Sequence, residues 1–239
     1  LYVLLRFDFV VFQQNLLGHE LQFAAFLMPL AVLAILVGSA VAMHEFNIKR
    51  LLANSSVAQI GYILLGASLV SIGGLTASLL HMFNHALAKG ALFLAVMGLA
   101  MRYSQLDLRS LGGAARHMPW TAAAMAVAGL SLIGIPGTAG FISKWYLVAA
   151  VLDEGILGLA LVAVIVAGSL MAVVYIWRIV EAAWFAEEAA DAPAIREAPA
   201  PMLAVIWLAA LANIYFGLVT ELPRELATGA AESLLGHLR

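Results

Sequence analysis

The sequence predicts an all-α membrane protein, a polytopic bundle of about seven transmembrane segments. Of its 239 residues, 64% are hydrophobic and only 11% are charged, whereas a soluble domain is about 45–50% apolar and about 25% charged. Runs such as 23–43 are apolar on every face and lack the alternation of a transmembrane barrel strand. Because backbone polar groups in lipid must be satisfied internally, these runs are predicted to be helices.

A window of about 20 residues defines the segments in order. They are 1–12, 23–43, 50–72, 76–101, 119–151, 156–177 and 201–220. The first is short and opens without Met, so we interpret the chain as the C-terminal part of a longer transmembrane domain, which here occupies 1–220. Residues 221–239 are predicted to form a short amphipathic tail helix. Its apolar positions are Leu222, Leu226, Leu234, Leu235 and Leu238.

Basic residues occur in alternate connections between these segments. They are present in 44–50, 102–118 and 178–200, and absent from 13–22, 73–75 and 152–155. The positive-inside rule therefore predicts that the three basic loops face the cytoplasm of a cell inner membrane or plasma membrane.

Composition also limits the chemistry. There is no cysteine, so disulfides, cysteine-ligated iron–sulfur clusters and covalently attached c-type haem are excluded. No nucleotide, flavin or haem motif is visible, and no block of basic residues indicates nucleic acid. We expect no cofactor and no redox chemistry in this polypeptide itself.

Lys89 lies deep inside its apolar segment, about 20 Å from Thr76. A lysine near the bilayer centre costs roughly 2.5–3.5 kcal/mol, which makes it a candidate functional residue. His81 and His85 precede it at intervals of four residues, on one helix stripe beside Asn84. Such a column can pass protons if water bridges its members.

Two other interpretations of this stripe are open. Each histidine could instead bond a carbonyl group on a neighbouring helix, the usual fate of a buried polar group. A zinc site at His81 and His85 is disfavoured, because neither a carboxylate nor a cysteine lies nearby in sequence.

Lys144 lies in a segment that is too long for one membrane helix. Residues 119–151 would span roughly 50 Å as a single helix, against a hydrocarbon core of about 30 Å. We predict a break at 134–140, because proline and glycines weaken the helix there, and broken helices typically mark ion or substrate sites. The hinge residues are Gly134, Pro136, Gly137 and Gly140. The alternative is a proline kink with Lys144 reaching the interface.

Small polar residues on 50–72 are candidates for lining a proton path from the basic loops. Ser55 and Gln59 share one helix face, Ser56 lies beside them, and Lys49 lies at the segment's start. Such residues more often bond neighbouring membrane helices.

Three runs together resemble a known family. They are His81–Ala91 (HMFNHALAKGA), Asn47–Tyr62 (NIKRLLANSSVAQIGY) and Gly129–Leu147 (GLSLIGIPGTAGFISKWYL). They are similar to the antiporter-like, proton-translocating membrane subunits of respiratory complex I, membrane-bound hydrogenases and Mrp-type cation/proton antiporters, and are most like the D-type member of the Mrp complex. The resemblance implies a fold of about fourteen helices with two inverted repeats, of which this chain holds the second and the last helix.

The resemblance also implies roles for individual residues. Lys89, His85 and His81 would lie on a hydrated central axis, and Lys144 would be the terminal proton-exchange residue. Other membrane subunits of a complex I-like or Mrp-like assembly, together with the lipid bilayer, would be the partners. The chain departs from the family at Asn47, where an aspartate is usual.

The predicted function is therefore proton translocation, with or without cation antiport, as a subunit of a larger complex. That complex could be an NADH:quinone oxidoreductase-type or hydrogenase-type translocase. One alternative is an independent secondary transporter for a small anion, with Lys144 at the substrate site. The other is a non-conducting scaffold subunit whose lysines have fixed partners.

Overall fold

The computed structural model describes residue 3 and residues 23–103, 105–187 and 197–236, and these residues form an all-helical bundle. In chain order the helices of residues 23–236 are α1 (Phe23–His44), α2 (Ile48–Ser68), α3 (Ile72–Ala100), α4 (Ala114–His117), α5 (Pro119–Ile133), α6 (Ala139–Leu152), α7 (Ile156–Trp184), α8 (Ala200–Leu218) and α9 (Glu221–Gly236). Within these residues, five helices are long and apolar enough to cross a membrane, namely α2, α3, α7, α8 and the part of α1 from Phe26 to His44. The predicted fold class is confirmed.

The described parts of the three basic connections lie at one end of the bundle, called here the basic end. Residues 46–48 and 106–108 form an isolated antiparallel bridge, with Ile48 N donating to the Leu106 carbonyl at 2.9 Å. Arg178 near the end of α7 donates to the Glu45 carbonyl at 3.1 Å, and Arg102 donates to the Glu197 carbonyl at 3.1 Å. The turns after α2, α6 and α8 lie at the opposite end.

The predicted break in segment 119–151 is present. Helix α5 ends at Ile133, Gly134 follows with φ +91°, and α6 begins at Ala139. A left-handed residue directly after a helix is a common C-terminal stop, and glycine adopts that conformation without a Cβ penalty. The two halves are apolar helices of 15 and 14 residues.

The other predicted boundaries agree to within four residues except at the end of α7. The sequence ends that segment at 177, before Arg178 and Glu181, whereas the helix continues to Trp184. The extension is possible because the Arg178 guanidinium turns back to the carbonyl groups of Met43 and Glu45. Apart from residue 3, the predicted segment 1–12 lies outside the described residues, as do Arg196 and Leu238.

A layer of apolar side chains fills the space between Lys89 and the basic end. These residues come from α2, α3 and the loop after α3, and each is at most 6% exposed: Ile48, Leu51, Leu52, Leu92, Val96, Leu99 and Leu106. We call this set the apolar layer. It separates the lysine from the basic loops.

Helix α9 packs against α3 at the opposite end. Ala227 and Ala231 are its buried residues, and Leu234 and Leu235 pack around Ala67 and Leu75. Leu222 and Leu226, which the sequence placed among the apolar positions, are 61% and 66% exposed.

Candidate functional site

Lys89 is held by α2. Its side chain is 6% exposed, and its ammonium donates to the carbonyl oxygen of Leu52 at 2.5 Å and to the hydroxyl of Ser55. The Ser55 hydroxyl in turn donates to Leu52 O at 2.9 Å. The ring of Phe93 lies 5.7 Å from Nζ. All of these partners are neutral, so the ammonium is hydrogen-bonded without a counter-ion among them.

Lys144 closes the end of the broken helix. Its ammonium donates to the carbonyl groups of Leu132 at 3.2 Å and Ile133 at 2.8 Å, and to the hydroxyl of Ser169 on α7 at 3.0 Å. The last carbonyl groups of a helix have no partner inside it and carry the negative end of its dipole. A cation is therefore favoured at this position, and the break creates the site that Lys144 occupies.

Close packing fixes the geometry of the break. A Cβ at Gly140 would collide with the Ser131 carbonyl, so only glycine allows the start of α6 to approach the end of α5 so closely. The Ser131 hydroxyl accepts a hydrogen bond from Gly140 N at 3.2 Å and so satisfies one free donor at the start of α6. Gly217 of α8 packs against the backbone of Gly137 and Thr138 from the other side.

His81 lies between the two lysines and uses both ring nitrogens. Nε2 lies 3.0 Å from Gln59 Oε1, and Nδ1 lies 2.9 Å from Ser143 Oγ. The Ser143 hydroxyl is also placed to donate to the Gly140 carbonyl at 3.2 Å. If Ser143 donates to Nδ1, that nitrogen carries no hydrogen; if Ser143 turns to Gly140, Nδ1 carries a hydrogen and donates it to the Ser143 oxygen. The site therefore accommodates both charge states of His81.

The aromatic ring of Tyr62 links His81 to Lys144. Its centroid is 5.4 Å from the His81 ring, edge to face, and 4.9 Å from Lys144 Nζ. The Tyr62 hydroxyl donates to the Ile165 carbonyl at 3.3 Å on α7. His81 and Lys144 therefore contact the same aromatic ring.

Helix α7 contributes two hydroxyl groups to the site. Ser169 accepts from Lys144, and Tyr175 lies farther along the same inward stripe. The Tyr175 side chain is fully buried, and its hydroxyl lies beside both Gln59 and Ser55. It nevertheless forms no hydrogen bond of normal geometry. The hydroxyl therefore occupies the space between the contacts of Lys89 and those of His81.

His85 and Asn84 make fewer contacts than His81. The His85 ring stacks parallel to the His81 ring at 6.4 Å, and its buried Nδ1 has no hydrogen-bond partner. Asn84 donates from Nδ2 to the Ala139 carbonyl at 2.6 Å, at the start of α6, while its buried Oδ1 has no partner. Both ring nitrogens of His81 contact protein groups, namely Gln59 and Ser143. No cluster of three or more potential metal ligands occurs in the described part of the chain.

The candidate lining residues on α2 divide into two groups. Ser55 and Gln59 bond the site residues Lys89 and His81, whereas Ser56 donates to the Leu52 carbonyl of its own helix at 3.1 Å. Lys49 is exposed at the basic end, beyond the apolar layer. Position 47, where the resemblance implies a carboxylate, holds Asn47, whose Nδ2 donates to Asp107 Oδ1 at 3.2 Å.

Two cavities of about 290 Å³ each flank the site. The first opens to the side of the bundle between α6 and α7, with Lys144 and Ser169 among otherwise apolar residues such as Phe141, Trp145 and Leu170. The second lies at the basic end around Asn47, Lys49, Tyr103, Gln105 and Asp107. Neither of these cavities is lined by Lys89.

Sequence reasoning missed five polar residues that complete the site: Ser131, Ser143, Ser169, Tyr62 and Tyr175. Ser143 could have been found beside Lys144, and Tyr62 ends one of the runs that resemble the family. The two α7 residues carried no signal, because a single hydroxyl in an apolar helix usually only bonds its neighbours.

The fold and the site together define a class of protein: a helical membrane protein with two buried lysines, one of them at a broken helix. Residues 1–171 match the family model described as NADH:quinone oxidoreductase/Mrp antiporter, TM, and the chain belongs to this family. The resemblance to antiporter-like subunits is thereby confirmed.

Individual relatives agree with this assignment. NADH-quinone oxidoreductase subunit N of Desulforudis audaxviator (strain MP104C) is 38% identical over 204 residues, which cover 80% of this chain and 40% of the relative. Hydrogenase-4 component B of Escherichia coli (strain K12) is 38% identical over 140 residues, or 54% of this chain and 21% of the relative.

A solved structure, the Mrp complex from Dietzia sp. DQ12-45-1b, contains a chain that superposes with a TM-score of 0.86 at 26% identity. The match covers 98% of this chain and 50% of that chain. This chain therefore spans half or less of the length of each of these three relatives.

Proposed function

We propose that this chain is part of a membrane subunit that translocates protons across the plasma membrane within a multi-subunit complex, with or without cation exchange. The observation that supports this proposal most strongly is the pair of buried ammonium groups, Lys89 and Lys144, each bonded only to neutral oxygens, with His81 between them. No carboxylate within the described residues pairs with either of them. The protonation of such groups responds strongly to any charge that moves nearby, because the surroundings screen it little.

The proposed direction of transport is from the basic end to the opposite end. Lys89 lies nearer the basic end, and the positive-inside rule makes that end cytoplasmic. A proton taken up at Lys89 passes by way of His81, with His85 beside it, towards Lys144. From Lys144 it leaves towards the opposite side. The proposed domain assignment is that residues 1–220 are the second repeat and last helix of the transmembrane domain, and that 221–239 are an amphipathic tail.

The contacts disfavour the two alternatives. An anion transporter would need a free donor at Lys144, but all three hydrogens of its ammonium have protein acceptors. A scaffold subunit would pair its lysines with fixed carboxylates, and neither lysine contacts one in the described part of the chain. The partner subunits belong to the parent assembly, which is complex I-like, hydrogenase-like or Mrp-like. The particular likeness to the D-type member of the Mrp complex stays a prediction.

The test uses the full-length subunit in its assembled complex, reconstituted into vesicles. Lys89→Gln and Lys144→Gln keep a hydrogen-bond donor but remove the group that accepts a proton. We expect each substitution to reduce proton flux by about tenfold or more, consistent with loss of a proton-transfer group. Arg116→Gln, which removes an exposed cation at the basic end, is the control and should leave flux intact. Full flux in both lysine variants, with normal assembly, would exclude the proposal.

A further inference from the structure

The connection between Lys89 and His81 has a gap on α2. On α2, the Lys89 ammonium donates to the Ser55 hydroxyl, whereas Nε2 of His81 contacts the side-chain amide of Gln59. Ser55 and Gln59 are four residues apart, so their Cβ atoms are about 5–6 Å from each other on one helix face. No hydrogen bond between these two side chains is present to carry a proton across that distance.

The Tyr175 hydroxyl lies in this gap. It comes from α7, on the far side of the bundle from α3, and it lies beside both Ser55 and Gln59. A buried hydroxyl without a hydrogen-bond partner is uncommon in folded proteins and calls for an explanation. A hydroxyl can donate and accept at once and can rotate between neighbours, which is what a relay between two groups needs.

On this basis we infer that Tyr175 is the proton-relay residue that joins Lys89 to His81, an inference that rests on the proposed function. A proton leaves the Lys89 ammonium for the Ser55 oxygen, while Ser55 passes its own hydrogen to the Tyr175 oxygen. Tyr175 then passes its hydrogen to Nε2 of His81, in the neutral tautomer whose single hydrogen is on Nδ1. Lys89 ends as a neutral amine, His81 ends as an imidazolium, and both hydroxyl groups are restored.

Two side-chain rotations make this sequence possible. The Ser55 hydroxyl turns from the Leu52 carbonyl to Tyr175, and the Gln59 amide turns aside from Nε2. On the other side of the ring, Nδ1 donates to Ser143 both in this neutral tautomer and in the imidazolium, and Ser143 donates to the Gly140 carbonyl. The contacts around His81 therefore already provide for the charged product.

The competing route runs along α3 through His85. Its ring lies parallel to that of His81 with centroids 6.4 Å apart, and parallel rings direct their N–H groups past each other rather than towards each other. No hydrogen bond joins His85 to either His81 or Lys89 among the described contacts. The route through Ser55 and Tyr175 needs only rotation of hydroxyl and amide groups, whereas the route through His85 needs both histidine rings to reorient.

The test is Tyr175→Phe in the full-length subunit, assembled in its complex and reconstituted in vesicles. This substitution removes one buried oxygen and keeps the ring, so we expect normal assembly and a proton flux reduced by about tenfold or more. Tyr146→Phe, which removes the hydroxyl of a partly buried tyrosine on α6, is the matched control. Incorporation of a fluorinated tyrosine at position 175 keeps the shape but makes the hydroxyl more acidic, and it should change the rate. A purely structural hydroxyl would not respond in this way.

The outcomes separate this inference from the proposed function. Loss of flux in the Lys89→Gln and Lys144→Gln variants, with full flux in Tyr175→Phe, would overturn the relay and leave proton translocation standing. Loss of flux in His85→Gln with full flux in Tyr175→Phe would assign the route to α3 instead. Full flux in both lysine variants would remove the proposed function and the relay together.

Discussion

The ammonium of Lys144 donates a hydrogen bond to the carbonyl oxygen of Ile133, the last residue of α5, at 2.8 Å. The lysine thus occupies the C-terminal end of a half-helix inside the bundle, where the unpaired carbonyl groups are concentrated. Any change that alters the break alters the surroundings of this ammonium. Stability and proton flux should therefore both depend on the geometry of the break.

Gly134→Ala should disturb both the fold and Lys144. Its φ of +91° lies in the left-handed region, and a Cβ there would lie 3.0 Å from the Lys144 side chain. We expect the free energy of unfolding to fall by about 1–2 kcal/mol. Gly137→Ala is a matched control, because its φ is +88° but a Cβ there would meet nothing within 4 Å. Chemical denaturation should show a similar loss in the free energy of unfolding for both variants. Proton flux should fall further for Gly134→Ala than for Gly137→Ala. Equal flux in the two variants would contradict the link to Lys144.

Gly217→Ala should loosen the packing of α8 on the break. A Cβ at this position would collide with the backbone of Gly137 and Thr138, and such overpacking typically costs about 1–3 kcal/mol. Gly229→Ala in α9 has open space around it, so it should be neutral or raise stability by up to about 1 kcal/mol through helix propensity. Thermal unfolding of the two variants in one detergent measures the difference. A tolerated Gly217→Ala would show that α8 does not pack tightly on the break.

Glu197→Ala should destabilise the start of α5. Its carboxylate accepts hydrogen bonds from Trp120 N at 2.9 Å and from the Thr121 hydroxyl at 2.5 Å, in the first turn of a helix that has no side-chain cap of its own. Loss of a cap costs about 0.5–2 kcal/mol. Glu232→Ala, an exposed site on α9, should change stability by less than about 0.5 kcal/mol. Equal unfolding midpoints for the two variants would rule out the capping role.

A disulfide between positions 47 and 107 should close the basic end reversibly. Asn47 and Asp107 face each other across the isolated antiparallel bridge, with the hydrogen bonds on either side of the pair, where opposed Cα atoms are about 4.5 Å apart. That separation suits a disulfide, and residues 1–239 contain no native cysteine. If the apolar layer has to open for water to reach Lys89, oxidised Asn47→Cys/Asp107→Cys protein should lose proton flux and regain it in reductant.

The controls for this experiment are the two single-cysteine variants, which cannot form the bond within one chain. Their flux should be the same in oxidant and reductant. Unchanged flux in the oxidised double variant, with the disulfide verified by mass spectrometry, would show that protons reach Lys89 without opening of the 46–48 and 106–108 bridge.

The sequence alone determined the membrane class, the helix order, the break in segment 119–151 and the positions of Lys89 and Lys144 inside apolar segments. It could do so because these features are local: a long apolar run, a glycine–proline interruption and an isolated charge are each visible within one segment. The boundary of α7 failed for a related reason. The charge of Arg178 predicts the start of a loop there, but its guanidinium donates to the carbonyl groups of Met43 and Glu45, so the helix continues.

The tertiary structure alone decided which side chains meet. Periodicity places His81, His85 and Lys89 on one stripe of α3. In the structure, Lys89 bonds Ser55, whereas His81 bonds Gln59 and Ser143. Only helix packing brings Tyr175 from α7 into the gap between those pairs, and only packing stacks the apolar layer over Lys89. These contacts depend on how separate helices are rotated against one another, and in a chain this uniformly apolar the hydrophobic pattern does not specify that rotation.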